Sequence, residues 1–122
     1  MNLSRIIIFV ADTIRCVSFY RDNFGLTAIG EWSEEWAELN GESCRLAFHQ
    51  AYGPDGKANL PTGSSNNPHK IVFTVPDVEK SRNELVEKGV KMEEIFRNKE
   101  LDNLILCDGY DPENHRFQIC NR

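Results

Sequence analysis

Short apolar runs recur along this chain, and each is followed by a segment with helical spacing. Residues 4–12, SRIIIFVAD, are matched by residues 69–77, HKIVFTVPD. Both runs end in Val-x-Asp, and from residue 5 to residue 70 the offset is 65 residues, so that Arg5 aligns with Lys70 and Asp12 with Asp77. An internal repeat of this kind predicts two copies of one structural unit.

The first unit is predicted to run strand–helix–strand–strand–strand. The β-branched and aromatic runs bounded by polar residues are typical of strands. Asp12 or Thr13 is expected to cap a helix that ends at Gly25. Gly41 and Glu42 favour a two-residue hairpin turn. The predicted strands are residues 6–10, 26–32, 36–40 and 44–50.

The second unit repeats this order. Pro76 and Asp77 favour the start of a helix that ends near Lys88, before Gly89. The predicted strands are residues 70–75, 91–97, 103–107 and 115–121, with a turn at 108–114. Two βαβββ modules predict an α+β fold with curved, mostly antiparallel sheets that enclose a cleft. We expect a single domain with module 1 at about 3–50, a linker at 51–68 and module 2 at about 69–122.

The connection between the modules is rich in turn-forming residues, including YGPDG and PTGSSNNP. Such a long connection is unusual in a compact domain. It is predicted to be a linker, with a functional flap as the alternative.

Strand alternation gives each predicted strand one apolar face, which should meet a helix, and one mixed face. If the hairpin turn is correct, Glu38 opposes Arg45 and could pair with it, and Trp36 opposes Ala47. Residues Arg5, Lys70 and Arg116 lack an obvious acidic partner nearby in the sequence. The mixed faces of four predicted strands comprise Arg5, Ile7 and Phe9; Arg45, Ala47 and His49; Lys70, Val72 and Thr74; and Arg116, Gln118 and Cys120.

Composition narrows the possible partners. The chain has 122 residues, a net charge of −5 and a pI near 5.2. This acidity argues against a nucleic-acid or anionic-membrane partner, which would favour a basic face. The apolar stretches are too short to span a bilayer and no signal-peptide pattern is present, so a cytoplasmic location is expected. The four cysteines have no metal-binding or disulfide spacing and are expected to be buried free thiols.

Four segments resemble the vicinal oxygen chelate superfamily, which includes glyoxalase I, extradiol dioxygenases, fosfomycin-resistance enzymes and bleomycin-resistance binding proteins. The resemblance extends over essentially the whole chain. It implies the two-module fold, but no single reaction, because the family includes lyases, oxygenases, transferases and binding proteins. The segments are FVAD with SFYRDNFGL, RLAFH, IVFTVPDV and DPENHRFQ.

The resemblance also implies where metal ligands would lie. The family's usual two His and two Glu would map onto Arg5, Ala47, Lys70 and Gln118. Arg has no lone pair to donate, Lys would have to lose its proton, and Gln offers only a weak oxygen ligand. The resemblance is therefore closest in character to the metal-free bleomycin-resistance type, usually a homodimer whose paired units form ligand clefts.

We therefore predict a metal-independent binding protein without a cofactor, forming a homodimer and taking an aromatic or anionic small molecule into a cationic and aromatic cleft. No catalytic residue is identified, since no nucleophile has a recognisable base at motif spacing. The predicted ligand-binding residues are Arg5, Phe9, Trp36, His49, Lys70, Arg116 and Gln118.

Three other interpretations remain. The first is a divalent-metal lyase, dioxygenase or epimerase with displaced ligands such as His49 and Gln118. The second is a metal-free enzyme in which Arg5 or Lys70 stabilises an oxyanion. The third is a structural interaction protein in which the cations lie at a dimer interface or pair with acids distant in sequence.

Overall fold

The computed structural model describes residues 1–52 and 69–122, which contain two helices and nine strands. The chain divides into two compact units, the first containing residues 1–52 and the second residues 69–122 of the described part. In chain order the elements are β1 (Arg5–Val10), α1 (Thr13–Phe24), β2 (Thr27–Ile29), β3 (Trp36–Asn40), β4 (Arg45–Gln50), β5 (Ile71–Thr74), α2 (Val78–Glu87), β6 (Lys91–Met92), β7 (Phe96–Asn98), β8 (Leu104–Tyr110) and β9 (Arg116–Cys120).

The first unit is a four-stranded sheet, in the order β1-β4-β3-β2, with α1 on one face. β1 is parallel to β4 and the other pairs are antiparallel. The Asp12 side chain caps α1 by accepting a hydrogen bond from the Arg15 amide at 3.0 Å, and Gly25 ends the helix in the left-handed region at φ 66°. Buried Tyr20 packs against Phe48 with ring centroids 5.4 Å apart, so the core lies between helix and sheet.

The second unit repeats the plan with the strand order β5-β9-β8-β6, and β7 also pairs with β8. Again one pair, β5 with β9, is parallel and the others are antiparallel. Asp77 caps α2 by accepting from the Lys80 amide at 3.0 Å. Leu85 of this helix is buried, as are Phe117 and Ile119 of β9, which are the apolar face predicted from alternation.

These features confirm the α+β fold of two βαβββ repeats. Three predicted strand limits are wrong. The second strand of unit 1 is only Thr27–Ile29, the segment 91–97 forms two short strands rather than one, and the predicted turn at 108–114 begins too early because Asp108 to Tyr110 extend β8.

The predicted two-residue hairpin turn is also wrong. Asn40 pairs with Arg45, so four residues connect β3 to β4. The Asn40 side-chain oxygen accepts from the Glu42 amide at 3.0 Å, which folds the chain back on itself and widens the loop. As a result Trp36 opposes His49, not Ala47, and Cys44 lies in this loop, partly exposed instead of buried in a strand.

Within the described residues, no helix combines the length and apolarity needed to cross a bilayer. Most of the predicted linker at 51–68 lies outside the described residues, and the predicted cleft stays a prediction.

Candidate functional site

The mixed face of the first sheet is organised as three rows that cross β1, β4 and β3. Residues paired in neighbouring strands point to the same side of a sheet, so the strand register defines each row. The rows are a polar row of Arg5, Arg45 and Asn40; a central row of Ile7, Ala47 and Glu38; and an aromatic row of Phe9, His49 and Trp36.

Glu38 is the charged centre of this face. Its carboxylate Oε1 lies 3.3 Å from Nη1 of Arg5 and 3.8 Å from Nη1 of Arg45, with the Glu38 side chain only 10% exposed. Both contacts are ion pairs without hydrogen-bond geometry, so Oε1 is buried without a hydrogen bond from the described residues. The predicted Glu38–Arg45 pair is thus present, but as a diagonal contact, and Arg5 pairs with the same acid, which is distant from it in the sequence.

The aromatic row surrounds His49. Its imidazole centroid lies 5.5 Å from the Phe9 ring, 5.8 Å from the Trp36 ring and 6.3 Å from the Tyr52 ring, all edge-on. His49 Nδ1 is 2.8 Å from the carbonyl oxygen of Gln50. Because a carbonyl only accepts, Nδ1 must carry the proton, and this leaves Nε2 of the neutral ring with its lone pair.

Trp32 contacts both the sheet and the helix of unit 1. Its indole Nε1 donates to the backbone oxygen of Glu38 at 3.3 Å, and the Arg21 guanidinium lies 5.0 Å from its ring centroid. Trp32 therefore connects α1 to the sheet.

The mixed face of the second sheet repeats the first two rows. The first row contains Arg116 and Tyr110, which pair across β9 and β8, and Lys70, which lies just before β5. The second row ends in the carboxylate of Asp108. The third row carries hydroxyl, thiol and aliphatic side chains, whereas the third row of unit 1 is aromatic. The second row is Val72, Gln118 and Asp108, and the third is Thr74, Cys120 and Leu106.

Asp108 is the centre of this second cluster. It accepts hydrogen bonds from Lys70 Nζ at 3.1 and 2.9 Å and from Gln118 Nε2 at 2.8 Å. Arg116 Nη1 reaches it at 3.4 Å. Lys70 and Arg116 thus pair with an acid on another strand, as the alternative of acidic partners distant in sequence allows.

Tyr110 holds Arg116 in place. The Tyr110 hydroxyl donates to Glu93 Oε1 at 2.6 Å and accepts from Arg116 Nη2 at 3.0 Å. The hydrogen bond to Glu93, followed by burial, raises the pKa of Tyr110, while Arg116 opposes that shift. The Tyr110 phenol is therefore kept neutral, and Arg116 Nε is buried without a hydrogen-bond partner among the described residues.

The two clusters occupy equivalent positions in the repeat. Glu38 pairs with Ala47 across the first sheet and Asp108 pairs with Gln118 across the second. Each carboxylate has one cation on, or next to, the first strand of its unit and another on the last strand. The equivalent pairs are Arg5 with Lys70, Glu38 with Asp108, and Arg45 with Arg116.

These residues do not fit a divalent metal ion. At the four positions that the family resemblance identifies, Arg5 and Lys70 are cations held by carboxylates, Ala47 has no donor atom, and Gln118 uses its amide nitrogen on Asp108. No group of three or more His, Cys, Asp or Glu side chains suited to a metal occurs among the described residues. The displaced candidate His49 belongs to no such group within the described residues.

All seven predicted ligand-binding residues lie within the described ranges. The structure brings Arg5, Phe9, Trp36 and His49 onto one face of unit 1, and Lys70, Arg116 and Gln118 onto one face of unit 2. Sequence reasoning missed Asp108, Tyr110 and Glu93. The strand register identifies Asp108 as the residue equivalent to Glu38, whereas the sequence offset of 65 aligns Glu38 with Asn103.

Comparison with known proteins identifies the family. Residues 2–119 match the model of the Glyoxalase/Bleomycin resistance protein/Dioxygenase superfamily. The chain belongs to this superfamily. It is 28% identical over 128 residues to the uncharacterized protein YraH of Bacillus subtilis (strain 168), covering 98% of this chain and 97% of YraH.

Two solved structures of this superfamily have the same fold. The lactoylglutathione lyase of Agrobacterium tumefaciens superposes with a TM-score of 0.71 at 14% identity, over 96% of this chain and 90% of the lyase. The fosfomycin resistance protein FosX of Mesorhizobium loti superposes with a TM-score of 0.71 at 17% identity, over 99% and 92% of the two chains. At such identities the likeness establishes the fold alone.

Proposed function

We propose that this superfamily member binds a small anionic, aromatic or carbonyl-bearing molecule without a metal ion. The observation that carries the proposal is the repeated cluster of two cations around one carboxylate. Each cluster keeps one positive charge in excess. That excess lies on mixed faces that also contain aromatic surface, which favours a planar anion over a neutral apolar ligand.

The cations retain donors for a ligand. The side chains of Arg5 and Arg45 are 39% and 49% exposed, and each guanidinium has five N–H donors, none of which is hydrogen-bonded to the buried Oε1 of Glu38. Such a guanidinium binds a carboxylate in a planar, two-point arrangement. Glu38 then acts as the internal counter-ion that holds both guanidinium groups together when no ligand is bound.

Metal independence is supported by donor chemistry. Within either unit, a divalent ion beside Arg5 or beside Lys70 would meet a cation, and the nearby carboxylate is already engaged by that cation. Electrostatic repulsion and the lack of lone pairs both oppose binding.

Homodimer formation is supported by the sheet edges. β1 is at the edge of the first sheet, and Leu3 and Ile6 beside this edge are 73% and 46% exposed. Uncovered apolar edge strands promote association, so we propose a second copy of this chain as the partner.

A cytoplasmic location remains part of the proposal, and four free cysteines are compatible with a reducing compartment.

The anion-binding proposal is tested by thermal shift with benzoate and substituted benzoates on wild type, Arg5→Met and Lys70→Met. We expect stabilisation of the wild type and loss of at least part of it in each variant. The matched control is Lys80→Met, a cation on α2 that pairs, among the described residues, with Glu84 in the i,i+4 position and is 73% exposed. Equal ligand stabilisation in all four proteins would contradict the proposal.

Metal content provides a separate test. Protein purified without chelator is analysed by inductively coupled plasma mass spectrometry, before and after dialysis. We expect no stoichiometric transition metal. A retained metal near one equivalent per chain would favour a metal-dependent member of the superfamily instead.

A further inference from the structure

The aromatic row of unit 1 contains one polar group with a defined hydrogen-bonding direction, the His49 imidazole. Its Nδ1–H is engaged by the Gln50 carbonyl at 2.8 Å. In the neutral ring Nε2 is then an acceptor and cannot donate. No hydrogen bond from the described residues reaches Nε2, so this lone pair is open to a ligand.

Three rings restrict what can approach that nitrogen. Phe9, Trp36 and Tyr52 stand edge-on around His49 at centroid distances of 5.5 to 6.3 Å. Phe9 is 58% exposed and Tyr52 is 46% exposed, so accessible ring surface lies beside the imidazole. A flat ring can pack there edge-to-face or offset, as aromatic pairs prefer.

The polar row of the same face lies at a fixed spacing. Arg45 and His49 point to the same side of β4 and are four residues apart, which is about 13 Å of extended strand. The long Arg5 and Arg45 side chains shorten the gap between the guanidinium groups and the imidazole. One small molecule with an anionic group at one end and a hydrogen-bond donor at the other can therefore contact both.

We infer that His49 Nε2 is a specificity-determining acceptor, and that the ligand class is a planar aromatic anion that also carries a hydrogen-bond donor such as a phenolic hydroxyl or a ring N–H. This inference rests on the proposed function, since it assumes that Arg5 and Arg45 receive the anionic group. The acceptor then selects among aromatic anions, because a ligand without a donor leaves Nε2 desolvated and unpaired.

The second unit supports the assignment by contrast. Its equivalent row is Thr74, Cys120 and Leu106, which contains no imidazole and no ring surface of this kind. Aromatic discrimination is therefore assigned to unit 1 and not to the repeat as a whole.

The test compares benzoate, 4-hydroxybenzoate and 4-methoxybenzoate by isothermal titration calorimetry. These probes share the carboxylate and ring, and the last two differ in whether the para oxygen carries a proton. For wild type we expect 4-hydroxybenzoate to bind about tenfold more tightly than 4-methoxybenzoate, which corresponds to about 1.4 kcal/mol. In His49→Phe, which keeps a ring but removes the acceptor, we expect this preference to fall to about one.

The controls separate this inference from the proposed function. If none of the three anions binds, or if Arg5→Met leaves their affinities unchanged, the proposed function fails. If benzoate binds in an Arg5-dependent manner but the hydroxyl preference is absent, or survives in His49→Phe, only the His49 inference is overturned. Long-range ¹H–¹⁵N correlation spectra of the free protein supply a direct structural check, with Nδ1–H expected and a predominant Nε2–H tautomer contradicting the assignment.

Discussion

The two units of this chain have the same charge plan but different apolar surroundings. In both units, one carboxylate lies on the strand that pairs with the last strand, and it contacts two cations. Glu38 contacts two arginines, and Asp108 contacts Lys70 and Arg116. The unit 1 carboxylate has longer, poorly aligned contacts, whereas Asp108 receives four hydrogen bonds. We propose that the tighter cluster in unit 2 contributes more to stability, and that the looser cluster in unit 1 leaves more donors for a ligand.

The largest expected effect is the loss of the tighter carboxylate. Asp108→Ala removes the hydrogen-bond acceptor of Lys70 and Gln118 and leaves partly buried cations unpaired, so we expect a loss of about 3 kcal/mol in unfolding free energy. Glu38→Ala should cost less, about 1–2 kcal/mol, because no aligned hydrogen bond is lost. Urea unfolding monitored by tryptophan fluorescence and circular dichroism measures both.

The control for these two variants is Glu94→Ala. Glu94 is 98% exposed and lies 3.7 Å from Arg82, and such a surface pair should contribute less than about 0.5 kcal/mol. If Glu38→Ala lowered the unfolding free energy as much as Asp108→Ala or more, the proposed difference between the two units would be wrong.

A smaller effect concerns anion affinity. Glu38→Gln removes the counter-charge but keeps the shape, so the two arginines should attract an anion more strongly. We expect benzoate affinity to rise about fivefold at low ionic strength and the gain to shrink in salt, since partly exposed charges are screened. Calorimetry at two salt concentrations measures this. Asp108→Asn should give a smaller gain, and a fall in benzoate affinity for Glu38→Gln would contradict the role assigned to Glu38.

The pH dependence of stability should come from unit 2. His115 Nδ1 lies 3.0 Å from Oδ2 of the fully buried Asp111 carboxylate, and this hydrogen bond raises the pKa of His115 despite the opposing effect of burial. A raised folded-state pKa stabilises the fold below the ordinary histidine pKa near 6.5, and the stabilisation is lost as the pH rises through the folded-state value.

We therefore expect the midpoint of thermal unfolding to fall between about pH 6 and pH 8 in the wild type. His115→Gln should remove most of that slope. His49→Gln is the matched control in unit 1. If the pH dependence of the unfolding midpoint persists in His115→Gln but disappears in His49→Gln, the titrating group lies in unit 1, and the prediction is wrong.

The smallest expected effect lies in the two hairpin loops. Glu42 has φ 65° and Asn114 has φ 66°, a left-handed conformation that asparagine tolerates better than glutamate. Glu42→Gly should therefore stabilise the protein by about 0.5 kcal/mol, whereas Asn114→Gly should be nearly neutral. Differential scanning calorimetry of the two variants measures the difference, and destabilisation by Glu42→Gly would show that its side chain has a role beyond the turn.

The repeat and the strand alternation predicted the fold, the helix caps and most of the mixed face. These patterns gave wrong predictions at two places where side-chain contacts influence the path of the backbone. Asp108-Gly109 is typical of a turn, yet Gly109 lies within β8, where an added Cβ would lie 2.5 Å from Cζ of Phe117 in the core. The glycine is required by packing, and the continued strand is what places Asp108 beside Lys70.

The register of the first hairpin could not be predicted either. Gly41-Glu42 suits a two-residue turn, but the Asn40 side chain accepts from the Glu42 amide and favours a four-residue loop. That change places Trp36 opposite His49 and so creates the aromatic row. A pairing rule based on turn residues alone cannot weigh this side-chain hydrogen bond.

The most direct test of the central claim is calorimetric titration of benzoate into protein treated with a chelator and dialysed. The account predicts binding that is unchanged by the chelator, weakened about tenfold or more in Arg5→Met, weakened less in Arg5→Lys, which keeps the charge but loses the two-point geometry, and unaffected in Lys80→Met. Binding that appears only after a divalent metal is restored, or that is the same in wild type and Arg5→Met, would contradict it.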